Sequence, residues 1–281
     1  MTEGMEAKPK FEGLLQRVRS ALVLLPFVIA PVFFGGWSFA LLLAVVGVFM
    51  AREWAGLLQA KPLDGQVLGG LTVFALLLGW ANSAAEGLAF IIVAFFACLA
   101  FALLRGQRAT PLAGGLIYVA APLATAQYFR EDALGALVIG YVLLTVWAVD
   151  IFAMFCGKII GGPKLAPVIS PNKTWAGLIG AVIGAMIAAV LSFLVVVGFQ
   201  LGQADFIAML VLAPLLAVCA QIADLFESGI KRKYDIKDSG SIIPGHGGLL
   251  DRVDGLIGVL LLLLIVVLLR GGEVSHALWI W

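Results

Sequence analysis

Gln221, Asp224, Glu227, Ser228 and Lys231 follow the i, i+3, i+4, i+7 spacing of a helix, so a helix through them carries carboxylates, a hydroxyl and an ammonium on one stripe. Lys231-Arg232-Lys233 and Lys237-Asp238 come next, then Pro244-Gly245-His246-Gly247-Gly248, then Asp251-Arg252-Val253-Asp254. Successive backbone N–H groups in a glycine-rich turn cradle phosphate oxygens, which makes Gly247 and Gly248 candidate phosphate binders. Asp251 and Asp254 are i, i+3 at the start of an apolar run and share one helical face. Hard oxygen ligands without a His or Cys cluster suit magnesium, which commonly uses one or two carboxylates plus substrate phosphates. Asp224 at the span end, and Asp251 and Asp254 on one face of the next helix, are carboxylates of the kind that could hold such an ion. Each piece alone has an ordinary reading: an interfacial charge, a loop, acidic partners of a helix dipole. Together they describe a site for metal-bound phosphate.

A second polar stretch contains Lys158, Gly161-Gly162, Lys164 and Ser170-Pro171-Asn172-Lys173-Thr174-Trp175. Thr174 or Ser170 can cap the helix that follows, and Lys173 would sit at its N-terminus, where anions bind readily. The plain alternative is a lysine meeting lipid headgroups. Asp150 ends the preceding apolar run and is a lesser metal candidate; Glu53, beside Arg52, reads as a paired charge.

The elements that position these residues belong in a membrane. Of the 281 residues 62% are hydrophobic and 12% charged, with a mean hydropathy of +1.09. Yet eleven of the 18 Lys and Arg and 17 Asp and Glu lie within 224–254, and charge beside a bilayer is costly unless it has a function. Cys98, Cys156 and Cys219 have no paired spacing, and His246 and His276 are far apart, so neither a disulfide framework nor a histidine metal site is expected. Residues 1–19 are polar and lead into an apolar run without a cleavage pattern, so the first span is expected to be retained.

Apolar stretches fall at 20–34, 36–50, 67–81, 87–104, 112–128, 133–150, 175–198, 205–223 and 255–270, the first two broken at Gly35-Gly36. The expectation is an all-α, polytopic integral membrane helical bundle of about nine transmembrane helices. With the N-terminus inside, sixteen of the 18 Lys and Arg fall on the cytoplasmic side and only Arg130 and Arg270 outside, which predicts an N-in, C-out topology. The chain then divides into a cytoplasmic segment 1–19, membrane helices in 20–150, further helices in 151–270 with cytoplasmic catalytic loops 151–174 and 224–254, and a non-cytoplasmic tail 271–281.

Residues 228–254, SGIKRKYDIKDSGSIIPGHGGLLDRVD, closely resemble the signature of phosphatidate cytidylyltransferases, also called CDP-diacylglycerol synthases. The similarity starts at Asp150, passes through KLAPVISPNKTW at 164–175 and ends at Asp254; the early spans share only hydrophobicity and the Arg52-Glu53-Trp54 patch. The resemblance implies synthesis of CDP-diacylglycerol and pyrophosphate from CTP and phosphatidate, with a divalent metal, at the cytoplasmic face of the inner (plasma) membrane. It carries the metal aspartates onto Asp224 and Asp251. It carries the basic and hydroxyl positions onto Ser170, Lys173, Thr174, Ser228, Lys231, Arg232, Lys237 and Arg252. Ala176, the segment after Asp150 and Ala223 depart from the family pattern, which weakens any role for Asp150 and for position 176. Expected partners are CTP, phosphatidate, the bilayer and a second copy in a homodimer; nucleic acid is not among them. Asp224, Asp251, Lys237 and Arg252 are the expected catalytic residues. Two rivals stand beside this reading. One is another CTP-using membrane enzyme, either a cytidylyltransferase for a different lipid phosphate or a polyprenol kinase. The other is a transporter, disfavoured because the charges gather at one membrane face and not at the midplane.

Overall fold

A backbone in hydrocarbon must satisfy its own N–H and C=O groups, which is why the long apolar runs become helices. The structure is a computed structural model that describes residues 25–105, 108–200, 204–240, 242 and 247–280. Its helices are α1 (Leu25–Phe34), α2 (Gly36–Leu57), α3 (Pro62–Ala81), α4 (Ala84–Arg105), α5 (Ala121–Glu131), α6 (Gly135–Ile159), α7 (Trp175–Gly198), α8 (Phe206–Lys233), α9 (Leu250–Arg270) and α10 (Val274–Trp279). Two π-helical stretches, Thr110–Gly114 and Leu116–Ala120, lead into α5, and with it they make one apolar span, Pro111–Glu131. Among the described residues eight helical spans are long and apolar enough to cross a bilayer. The expected first span is represented by the shorter α1; residues 20–24 lie outside the described residues. The chain is thus a polytopic helical membrane protein, and large apolar side chains such as Phe33, Phe34, Val93, Leu104 and Leu269 cover its outer surface.

Hydrogen bonds collect alternate helix ends at the two poles of the bundle. At one pole Arg130, near the end of α5, donates to Val32 O (2.7 Å) and Phe33 O (2.8 Å) at the end of α1. Glu131 accepts from Ala84 N at the start of α4 (2.9 Å), and Asp132 accepts from Ser275 N of α10 (3.0 Å). The opposite pole holds the end of α2, the end of α6, the start of α7, the end of α8 and the start of α9, and both polar loops.

Two helices reach this pole as a closely packed pair. Gly180 and Gly184 of α7 lie so near α6 that a Cβ on either would stand 2.6 Å from a carbonyl oxygen, of Phe152 and Ala148 respectively. That contact sets Asp150 of α6 beside the segment entering α7. This segment is a small antiparallel hairpin, β1 (Lys164–Ala166) and β2 (Ser170–Thr174), pairing Lys164 with Thr174 and Ala166 with Ser170. It is the one β element among the described residues, and the sequence reading placed an irregular loop there. Several helices also outrun their apolar stretches. The second reaches Leu57 instead of residue 50, α8 runs on to Lys233, and α9 begins at Leu250.

Candidate active site

The polar stripe expected on α8 forms, and Gln221, Asp224, Glu227 and Lys231 find partners from other elements. Lys173 on β2 lies 2.6 Å from Asp224 Oδ2, and its Nζ donates to Gln221 O (3.4 Å). Ser228 Oγ donates to Asp224 Oδ1 (3.2 Å). One turn on, Lys231 Nζ bridges Glu227 Oε1 (3.2 Å) and Asp251 Oδ1 (2.6 Å). Arg232 Nε reaches Ile169 O of the hairpin loop (3.4 Å). The two polar loops therefore meet, as the sequence reading expected. Thr174 closes the hairpin as the N-cap of α7, its Oγ1 accepting from Gly177 N (3.0 Å), and it is buried.

Asp251 anchors the glycine turn as well as the lysine. Its Oδ2 accepts from Ser239 N (3.0 Å) and Gly248 N (3.2 Å). Gly248 fits only as glycine: a Cβ there would overlap Ser239 Oγ and stand 2.7 Å from Gly240 N. Gly247 has φ 88°, a left-handed conformation that glycine adopts without strain. Residues 243–246, including His246, lie outside the described residues.

Three residues outside the signature complete the scaffold. Glu53, nearly buried on α2, accepts from Leu249 N (2.9 Å) and Leu250 N (2.8 Å) and receives Ser239 Oγ (3.4 Å). It caps α9 from nearly two hundred residues away and fixes the turn that presents Asp251. The sequence reading took Glu53 for a charge paired with Arg52; its described partners are instead these N–H and O–H donors. Tyr118 donates to the fully buried Glu227 (3.0 Å) and stacks on Trp54 at 4.9 Å. Trp54 in turn donates its Nε1–H to Pro111 O (3.0 Å) at the π-helical start of the α5 span, where the widened turn leaves a carbonyl open. Sequence offers a signal for Glu53, as a charge at a span end, and for Trp54 beside it in the Arg52-Glu53-Trp54 patch; Tyr118 sits in the apolar run 112–128 that reads as lipid-facing.

Asp150, Lys158, Lys164, Asn172, Lys173 and Asp224 line a polar cleft of about 550 Å³ between α6, the hairpin and α8. Asp254 accepts from Gly255 N (2.7 Å), and its charge acts on Asp224, Glu227 and Asp150. The cleft wall is thus acidic, with cations on its rim. Arg252 is exposed at the start of α9, close enough for its charge to act on Asp150. Ser170 is half-buried in β2. Lys237 is exposed and makes no hydrogen bond or ion pair among the described residues, whereas Lys233 sits 6.0 Å from the Tyr234 ring centroid. The structure brings together Ser170, Lys173, Thr174, Asp224, Ser228, Lys231, Arg232, Gly247, Gly248, Asp251 and Arg252, and leaves Lys237 at the edge.

A membrane helix bundle with carboxylates and lysines gathered at one pole defines a class of enzyme that works on phosphates at a membrane surface. The chain belongs to the cytidylyltransferase family, whose model matches residues 15–269. Over 263 residues it is 37% identical to the phosphatidate cytidylyltransferase of Brucella abortus, covering 89% of this chain and 92% of that protein. It is 44% identical over 147 residues to the phosphatidate cytidylyltransferase of Rickettsia bellii, covering 51% of this chain and 63% of that one.

Proposed function

We propose that this chain is the enzyme that joins CTP and phosphatidate, forming CDP-diacylglycerol and releasing pyrophosphate. The observation that carries the reading is the meeting of two loops through the Lys173–Asp224 and Lys231–Asp251 ion pairs, in a chain of this family. A phosphate oxygen of phosphatidate attacks the α-phosphorus of CTP, and the bond to the pyrophosphate oxygen breaks. Phosphatidate is already ionised near neutral pH, so the reaction asks for alignment and charge neutralisation more than for a base. Lys173, Lys158 and Lys164 sit where they hold nucleotide phosphates in the cleft. Lys231, Arg232 and Arg252 draw the lipid phosphate from the opposite side, and Lys237 supplies charge from the exposed rim. Ser170, Ser228 and the Gly247-Gly248 turn offer hydroxyl and N–H donors to phosphate oxygens.

A divalent ion fits this donor set. Asp224 and Asp251 are each in contact with an ammonium at 2.6 Å, so both already stand against positive charge. No group of three carboxyl, thiol or imidazole side chains converges closely enough among the described residues to cage an ion unaided. Magnesium commonly takes one or two carboxylates and completes its shell with substrate phosphates and water. Asp224 and Asp251 would hold it, and when bound it would offset charge on the phosphates. The lysines they release would then be available to substrate phosphates.

The sixteen-to-two split of basic residues supports a multi-pass inner-membrane protein with nine spans, N-in and C-out, and with this site on the cytoplasmic face. A homodimer is carried forward from the sequence reading and is tested by mass measurement in detergent. The reaction itself is tested with purified protein, α-labelled CTP, magnesium and phosphatidate. Label in CDP-diacylglycerol with free pyrophosphate is expected. Release of labelled CDP with a phosphorylated lipid would make the chain a kinase instead.

A further inference from the structure

One helical turn along α6 from Asp150 and the polar cleft lies a second cavity, about 240 Å³, lined by α1, α2, α5, α6 and α9 and open to the outside. Val32, Leu43, Val142, Trp147 and Leu256 are among its lining residues, and Arg252 is its one charged lining residue. The polar end is therefore defined. Val146 and Trp147 line the cavity one helical turn before Asp150 on α6, and Val253 lines it next to Arg252 and Asp254 on α9. Cavity and cleft thus follow one another along a single face of α6, meeting at Asp150, and Arg252 lines the cavity near enough for its charge to act on Asp150.

Depth points to the occupant. The α9 lining runs from Leu249 to Leu260. At 1.5 Å per residue that is about 16 Å, or half of a hydrocarbon core about 30 Å thick. The cavity extends from the polar pole to the depth of one leaflet. An open pocket lined almost wholly by apolar side chains in a membrane bundle accepts apolar matter more readily than water. A cation at the mouth and an apolar shaft one leaflet deep match an anionic headgroup with an acyl chain below it. The larger groove beside Tyr118, Phe226 and Ile265, of about 690 Å³, lies on the outside of α8 and α9, where any bilayer lipid can rest.

We propose that this cavity takes one acyl chain of the phosphatidate substrate while Arg252 holds the phosphate at its mouth, so that cavity depth sets acyl-chain preference. This rests on the reading of the chain as a phosphatidate cytidylyltransferase. The second acyl chain stays in the bilayer, and the phosphate meets the nucleotide directly at the end of the cleft beside Asp150.

Two measurements test the idea. The first is turnover by the full chain in detergent on dihexanoyl, dioctanoyl and dipalmitoyl phosphatidates at equal mole fraction. Val142→Phe on α6 and Leu256→Phe on α9 shorten the cavity. Each is expected to lower kcat/KM for the dipalmitoyl lipid about 10-fold or more and to leave the dihexanoyl lipid near wild type. Leu256→Ala, which enlarges the cavity, is expected to move the preference toward longer chains. An unchanged chain-length ratio in all three variants would overturn the proposal. The second measurement needs no turnover: a phosphatidate with a photoreactive group at one acyl terminus is crosslinked to the wild-type chain. Labelling is expected on the α6 and α9 peptides around Val142 and Leu256. Label confined to the outer groove around Ile265 would overturn the proposal even in an active enzyme. Lining label without CDP-diacylglycerol formation would uphold the cavity and refute the assigned reaction.

Discussion

Glu53 acts on this site without being able to touch the reacting phosphates through its own carboxylate, because both oxygens are spent on the α9 start. Its removal leaves two backbone N–H groups without acceptors in a buried place, a cost of about 1–3 kcal/mol each. Glu53→Ala is expected to lower kcat strongly, because Asp251 and the glycine turn lose their common anchor, with KM for CTP changed less. Glu53→Gln keeps one acceptor and is expected to fall between. Equal activity of Glu53→Ala and wild type would detach α9 capping from catalysis. The lysines divide differently. Lys173→Ala and Lys231→Ala each remove a phosphate-clamping cation and leave a carboxylate without its ammonium, and a loss of about 2–4 kcal/mol, roughly 30- to 1,000-fold in turnover, is expected. Lys237→Ala is expected to lower turnover too, if its rim position is occupied by a phosphate. Lys233, against the Tyr234 ring, is expected to give only a modest, salt-sensitive rise in KM for phosphatidate. Steady-state kinetics in mixed micelles, varying CTP and lipid separately, read all four. Intact turnover in Lys173→Ala with loss in Lys231→Ala would place the site on residues 224–254 alone.

At the scale of elements, what the sequence made legible is what has a period or a length. The α8 stripe follows from residue types at 3.6-residue spacing, and the spans from unbroken apolar runs. Thr174 as the α7 cap follows from a hydroxyl residue before an apolar helix. The β1–β2 hairpin was not legible, because three- and five-residue strands with a proline among them carry no alternation that stands out. The extra turns of α2 were not legible either: its charged residues broke the hydropathy signal, while the bonds from Glu53 to Leu249 N and Leu250 N keep that helix end ordered. The polar ends of α8 and α9 were legible from the spacing of their charged residues. The Trp54–Tyr118–Glu227 chain joins α2, the π-helical segment and α8, and no local pattern encodes a contact across more than a hundred residues. Gly248→Ala is a test at this scale. Its Cβ has no room beside Ser239, so the 239–248 turn must open and Asp251 must lose an N–H donor. Activity is expected to collapse while insertion and helix content persist, measured by turnover beside circular dichroism. Wild-type turnover in Gly248→Ala would mean the turn is not held closed during catalysis.

The whole molecule is organised by the inequality of its two poles. Among the described residues the pole opposite the site holds Arg130 and Arg270 as its only Lys or Arg, and both are engaged locally, Arg130 with the end of α1 and Arg270 with Ile280 O at 2.6 Å. The remaining described cations lie at the site pole. Such a split is what orients a polytopic chain, because basic loops resist translocation. It also serves the reaction, since a pole rich in Lys and Arg concentrates a soluble polyanion next to an anionic lipid surface. In the proposed reading one asymmetry would serve both orientation and substrate capture, and this makes topology a direct test of that reading. In a background with Cys98, Cys156 and Cys219 replaced, Ile160→Cys reports on the exposed loop after α6, and Glu273→Cys on the exposed turn before α10. A membrane-impermeant maleimide added to intact cells is expected to label position 273 and to reach position 160 only after permeabilisation. Label at 160 in intact cells would put the cleft on the side where CTP is absent. No cytidylyltransferase can work from that side, so that single outcome would remove the cytoplasmic site and the proposed reaction together.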